Sequence, residues 1–260
     1  MTMDDQRRDA LAANLAAVRE RIAAACRGAG RDPGEVALIV VTKTYPAEDV
    51  LRLVSLGVVD IGENRDQEAA PKAAEVAEAL GATGQASLRW HFVGQLQRNK
   101  CKSVVRYAGL VHSVDSVRLV QALDRAATDR AGIDHDADQA GLDHDAPGID
   151  VLVQVSIDGD PTRGGAVPTG DAGEDVALDR VLAAVASSAG LRLRGLMAVA
   201  PLGWEPARAF ASLAEVHARV RAEYPGATLL SAGMSADLEE AIRHGATHVR
   251  VGSAVLGHRR

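Results

Sequence analysis

The stretch VALIVVTKTYP, Val36 to Pro46, decides the fold. Seven residues, Val36 to Thr42, form an almost unbroken apolar run. A strand buried on both faces has that composition, and such strands occur mainly in parallel sheets. Pro46 lacks the N–H that a ladder needs, so the strand must end before it. Lys43 therefore stands at the carboxyl end of a buried strand, where parallel α/β proteins place their ligands. A partly desolvated ammonium there loses its proton more readily and can condense with an aldehyde or ketone. On position alone, a lysine snorkelling to solvent is the simpler reading. The rest of the chain shifts the balance.

Outward from this stretch the pattern repeats. Strands are expected at 58–62, 88–93, 110–113, 150–156, 193–199, 228–230 and 247–251, with helices between them. Before the first strand, Leu11, Leu15, Val18 and Ile22 recur at helical spacing. Eight strands alternating with helices point to a single (β/α)8 TIM barrel, an α/β fold, with an additional N-terminal helix. The 260 residues match the roughly 250 such a barrel needs, so residues 1–260 read as one domain. A doubly wound open sheet would show a Gly-rich turn after the first strand. None follows Val41.

Composition excludes several classes. Aromatic residues make up 3% of the chain, so the core must be built from Val, Leu, Ile and Ala. No apolar run approaches the ~20 residues of a membrane span, and the charged N-terminus carries no signal segment. Cys26 and Cys101 lie far apart and make no disulfide framework, which points to the cytoplasm. No CxxC, HExxH or clustered His/Cys pattern marks a metal site. The net charge of −6 argues against a general nucleic-acid binder. All of that charge is carried by residues 129–150, which hold seven aspartates and one arginine. Within them AGIDHDADQ (131–139) is followed by its near-copy AGLDHDAPG (140–148). The tract has too little apolar surface to fold alone and reads as a mobile acidic surface loop. Its Asp-His-Asp triplets carry ligand atoms for a divalent metal, but a solvated loop is the better reading.

The chemistry-bearing residues sit just after strands, on what would be one face of a barrel. They are Lys43, then Glu63 and Asn64, then Gln95 and Gln97, Ser113 and Asp115, Ser156, and Met197 at the end of strand 6. The C-terminal run LLSAGMSADLEEAIRHGATHVRVGSAVLG (229–257) adds Ser231, Gly233, Ser235, Gly252 and Ser253. Their small size lets a phosphate approach two adjacent loops, and Ser235 can cap a helix over Ala236–His244. Arg250 alternates with Val249 and Val251, which points it into the barrel, where it needs a partner. A lysine, a phosphate site and an inward arginine form a coherent set for pyridoxal phosphate. His91 reads as a satisfied core histidine, Cys101 as a buried inert thiol, and Trp204 and Met234 as packing residues.

At this point the chain resembles the pyridoxal-phosphate homeostasis proteins, the YggS/PROSC family. The matching segments are VTKTYP (41–46), IGENRDQE (61–68), WHFVGQLQRNK (90–100), HSVDS (112–116), VQVS (153–156), GLMAV (195–199), LLSAGMS (229–235) and VRVGSAVLG (249–257). They follow family order over essentially the whole chain except the acidic tract. The resemblance implies a monomeric alanine-racemase-like barrel of fold-type III that binds pyridoxal 5'-phosphate. It implies that Lys43 carries the internal aldimine and that Arg250 faces the pyridine nitrogen. It implies phosphate contacts from the Ser231–Ser235 and Gly252–Ser253 loops, with Asn64 and Met197 lining the pocket. The function implied is to hold, buffer and deliver the cofactor, with apo pyridoxal-phosphate enzymes as recipients, rather than to turn over a substrate. The alternative is a fold-type III amino-acid racemase. Tyr45 replaces a second lysine of the family element, Ser156 replaces an Asn, and DGDPTRGG (158–165) replaces a Glu- and Lys-containing loop. These departures put loop contacts in doubt, not the cofactor.

Overall fold

In the computed structural model the strands close into a barrel in the order β1 to β8. The structure describes residues 3–85, 88–134, 148–160, 164–168 and 173–257. Helix α1 (Met3–Gly28) precedes β1 (Ala37–Val41), and a 3-10 turn at Pro33–Glu35 joins them. There follow α2 (Ala47–Ser55), β2 (Asp60–Glu63), α3 (Asp66–Gln85), β3 (Arg89–Phe92), α4 (Cys101–Val104), β4 (Leu110–Val114) and α5 (Val117–Asp134). The second half comprises β5 (Ile149–Gln154), α6 (Leu178–Ala186), β6 (Leu191–Met197), α7 (Pro206–Glu223), β7 (Leu229–Ser231), α8 (Leu238–Arg243), β8 (His248–Val251) and α9 (Ser253–Leu256). Every pairing is parallel, and closure sets Ile39 opposite Arg250 and Val40 opposite Val251.

Helix α1 packs on α8 and α9 outside the barrel. Its stripe Leu11, Leu15, Val18 and Ile22 is at most 5% exposed. Each such side chain contributes about 1.5–3 kcal/mol when fully buried. That stripe joins Val50, Leu53, Val249, Val251, Val255 and Leu256 in one core. A second core surrounds β3 to β7, and Leu110, Leu152 and Met197 form a small cluster of their own. Among the described residues no helix is long and apolar enough to cross a membrane.

Three expectations are corrected. The helix expected over 98–107 is a 3-10 turn at Arg98–Lys100 followed by the single turn of α4. The acidic tract is not a loop throughout: α5 continues to Asp134 and β5 begins at Ile149. Residues 135–147, which hold most of both repeats, lie outside the described residues. Met234 is 40% exposed, so it is not a packing residue.

Candidate functional site

Lys43 is exposed in the turn that ends β1. The turn is held from all sides. The Tyr45 N–H donates to the Thr42 carbonyl at 3.0 Å. Thr44, in the left-handed region at φ 66, donates its N–H to Glu68 Oε2 at 3.1 Å. Beneath it the Thr42 hydroxyl donates to Glu63 Oε1 at 2.6 Å. Lys72 Nζ donates to the same Glu63 oxygen at 2.6 Å and to the Thr42 carbonyl at 2.9 Å. Thr42, Glu63 and Lys72 are all buried, so the residue before Lys43 is fixed by a charged pair inside the protein.

The loops after β7 and β8 meet beside this turn. Ser253 Oγ lies 3.5 Å from Ser235 Oγ, which joins the two loops singled out in the sequence. Gly233 has φ +90, and a Cβ there would stand 2.6 Å from the Ala241 methyl. A Cβ on Gly252 would stand 3.2 Å from the Val41 carbonyl, two residues before Lys43. Ser235 does not cap the following helix, which begins only at Leu238. The Asp237 carboxylate instead accepts the Met234 N–H at 2.6 Å and holds the loop open ahead of the helix. From outside, Arg21 of α1 donates to the Ser235 carbonyl at 2.9 Å and pairs with Glu239 at 2.7 Å.

Arg250 points into the barrel and is 6% exposed. It donates through Nη1 to Ser231 Oγ at 2.7 Å and through Nη2 to the Ala198 carbonyl at 2.9 Å. Burial lowers its pKa to about 10, so it remains a cation at neutral pH. The Ser231 hydroxyl is thus committed to the barrel interior, where it also meets His112 Nδ1 at 2.9 Å. From there the contacts continue downward. His112 Nε2 lies 3.0 Å from His91 Nδ1, and His91 Nε2 lies 2.8 Å from Asp60 Oδ1. Arg89 closes the series with two bonds to Asp60, at 2.7 and 2.8 Å. His91 is therefore the satisfied core histidine expected, but as one link in a chain that spans the barrel.

Of the remaining expected residues, Asn64 follows β2 and its buried Oδ1 has no protein partner among the described residues. Met197 is 2% exposed in the interior cluster with Leu110 and Leu152. The Cys101 thiol is buried and its pKa is raised to about 11, so it is inert. Ser156 lies 3.1 Å from Asp158 Oδ1 and from the Asp160 carbonyl, within its own loop. Arg163, named among the departures, lies outside the described residues.

Lys72, Arg21 and His112 were not assigned roles from the sequence. For Lys72 a signal exists: it lies on the stripe Ala69, Ala73 and Val76 of α3, all buried, and a lysine on an apolar stripe demands a partner. For Arg21 and His112 the partners are 218 and 119 residues away, and no local pattern marks them.

The model of the alanine racemase N-terminal domain family matches residues 7–260. A curated relative from Mycobacterium tuberculosis, named pyridoxal phosphate homeostasis protein, is 49% identical over 251 residues, covering 95% of this chain and 92% of the relative. Among solved structures, a protein of unknown function from Bifidobacterium adolescentis matches with TM-score 0.82 and 29% identity, over 98% of this chain and 97% of its own. PipY of Synechococcus elongatus with PLP bound matches with TM-score 0.70 and 29% identity, over 95% of this chain and all of PipY.

Proposed function

The chain belongs to the pyridoxal phosphate homeostasis proteins, within the alanine racemase N-terminal domain family, and from that premise we propose that it binds pyridoxal 5'-phosphate through Lys43 and serves to hold and release it. The residues present fit such a group. Gly233 and Gly252 let α8 and the end of β1 pack closely against the two loops, and Ser235 and Ser253 bring two hydroxyls to the point where the loops meet. The buried, unpartnered Asn64 Oδ1 can take one further donor. The observation that carries the reading is Arg250, a buried cation anchored by a hydroxyl and a carbonyl and, among the described residues, by no carboxylate.

When bound, the cofactor supplies an aldehyde that condenses with a primary amine and a ring that stores electrons. This chain supplies the rest. Lys43 offers the amine, on a turn that the Thr42–Glu63–Lys72 group holds in place. Ser235, Ser253 and the glycine-lined backbone receive the phosphate. Arg250, held by Ser231 and the Ala198 carbonyl, would supply a fixed cation and donor toward the ring. A cation there would oppose a second positive charge on the ring and so weaken it as an electron sink. That suits storage better than turnover. We assign the protein to the cytoplasm, where its two free, buried cysteines stay reduced. Apo pyridoxal-phosphate enzymes are the recipients in this reading, and the protein acts as a monomer.

The competing reading is an amino-acid racemase, which needs a second proton-transfer group opposite Lys43. The chain has three tyrosines. Tyr45 donates its hydroxyl to the Gly257 carbonyl at 2.7 Å. The Tyr107 hydroxyl is buried, and burial together with Asp66 and Glu63 pushes its pKa well up. Tyr224 ends α7.

The deciding experiment is borohydride reduction followed by peptide mapping. A phosphopyridoxyl mass on the Lys43 peptide is expected, and a label on Lys72, Lys100 or Lys102 instead would overturn the assignment. Racemase turnover at about 1–10³ per second, abolished by Lys43→Ala, would favour the racemase.

A further inference from the structure

The contacts between Arg250 and Asp60 have one consistent direction. Arg250 only donates, so Ser231 Oγ accepts from it at 2.7 Å. At the other end the Asp60 carboxylate only accepts. Burial opposes its ionisation, but the His91 and Arg89 hydrogen bonds outweigh burial and hold its pKa well below the usual range. His91 must therefore present Nε2–H to Asp60. A neutral His91 then has a bare Nδ1, which must accept from His112 Nε2–H at 3.0 Å. A neutral His112 then has a bare Nδ1, which accepts the Ser231 hydroxyl hydrogen at 2.9 Å. Burial, ahead of every other cause, keeps His112 neutral by lowering its pKa well below the ordinary value. The opposite direction is available only if His91 carries both protons.

We propose that His91, His112 and Ser231 are positioning residues that fix the hydroxyl of Ser231 with its lone pair toward Arg250, and so fix the guanidinium that faces the cofactor ring. This rests on the cofactor reading above. The geometry is that of a strut. Its lower end, Asp60 with Arg89, borders a cavity of about 390 Å3 at the N-terminal end of the barrel. Its upper end is Arg250. All five side chains, Arg250, Ser231, His112, His91 and Asp60, are buried, so each hydrogen is held by its neighbour in the chain. Without the His112 acceptor the Ser231 hydroxyl can turn, and its hydrogen then faces the guanidinium instead of its lone pair.

The first test uses the protein without cofactor. Nitrogen-15 NMR of the imidazoles at pH 8 should show both His91 and His112 as Nε2–H tautomers. A His112 carrying its proton on Nδ1 would overturn the proposal, whatever the status of the cofactor site. The second test uses the loaded protein with nitrogen-15 in the pyridine ring. Ser231→Ala and His112→Leu should each shift the ring-nitrogen resonance and the visible absorption maximum, and each should weaken pyridoxal phosphate binding about tenfold. Both should still label at Lys43 on reduction. His112→Asn places an acceptor where Nδ1 stood and should restore the wild-type resonance. The double variant Ser231→Ala/His112→Leu should be no worse than either single change, because the residues act in series. A folded His112→Leu protein with an unshifted ring nitrogen would overturn the proposal. Failure of the wild-type protein to label at Lys43 would overturn the cofactor reading and leave the apo-protein result standing.

Discussion

Lys72 reaches from α3 to place its ammonium 2.6 Å from Glu63 Oε1 and 2.9 Å from the carbonyl of Thr42, the residue before Lys43. The ammonium is 8% exposed and the carboxylate fully buried. Removing one partner of such a pair strands the other charge, at a cost of about 3–5 kcal/mol. Lys72→Met should therefore lower stability by that amount in urea unfolding. Lys72→Met with Glu63→Gln removes both charges and should recover most of the loss. A single variant as stable as the wild type would show that the pair holds nothing.

Gly233 should tolerate no side chain. Gly233→Ala forces an L-residue to φ +90 and sets a methyl 2.6 Å from that of Ala241. Backbone strain of this kind costs about 1–3 kcal/mol, before the clash with α8 is counted. Urea unfolding should show the loss, and titration should show weaker binding of pyridoxal phosphate.

Ser235 should read the phosphate. Ser235→Ala removes one hydroxyl from the point where the two loops meet, which should weaken pyridoxal phosphate by about 1 kcal/mol. Affinity for unphosphorylated pyridoxal should not change. Equal losses for both vitamers, measured by titration, would mean that the hydroxyl does not serve the phosphate.

Acid should unfold the protein in two stages. Burial lowers the His248 pKa to about 4. The unfolded chain takes up that proton near pH 6.5, so below this pH the unfolded state binds more protons. Stability should be flat above about pH 7 and fall as the pH drops from about 6.5 to about 4. His112 adds to the fall in the same direction. Asp60 contributes below that, since its folded-state pKa is held under the unfolded value of about 3.9. His248→Gln should flatten the first stage in unfolding midpoints compared at pH 7.5 and 5. An unchanged slope would assign the effect to His112 and His217, which burial also holds low.

The barrel and the end of its first strand were legible because apolar runs and helical stripes are local signals. Val36–Thr42 announces a buried strand, and the β1 of the structure is Ala37–Val41. What was illegible depends on closure. Arg250 could be read as inward-pointing from its alternation with Val249 and Val251, but its partner Ser231 and the histidines below come together only when the sheet closes. The start of α8 departs from its sequence signal for a physical reason. Ser235 has the chemistry of a cap, yet Asp237 takes the Met234 N–H and delays the helix to Leu238. The acidic tract was misread where α5 runs into it, because aspartates hide a helix that its own apolar spacing does not announce.

The pairing of β1 with β8 also governs timing. Lys43 is made early in synthesis, whereas Ser235, Arg250, Gly252 and Ser253 are made last. Val40 cannot find Val251, nor the Lys43 turn its facing loops, until the C-terminal strand has been translated. If Lys43 holds the cofactor as proposed, a nascent chain carries that amine with no facing loops around it, and cofactor capture becomes a post-translational event. A ribosome stall before residue 250 yields a product that lacks β8 and the loop after it, however much of the sheet has already formed.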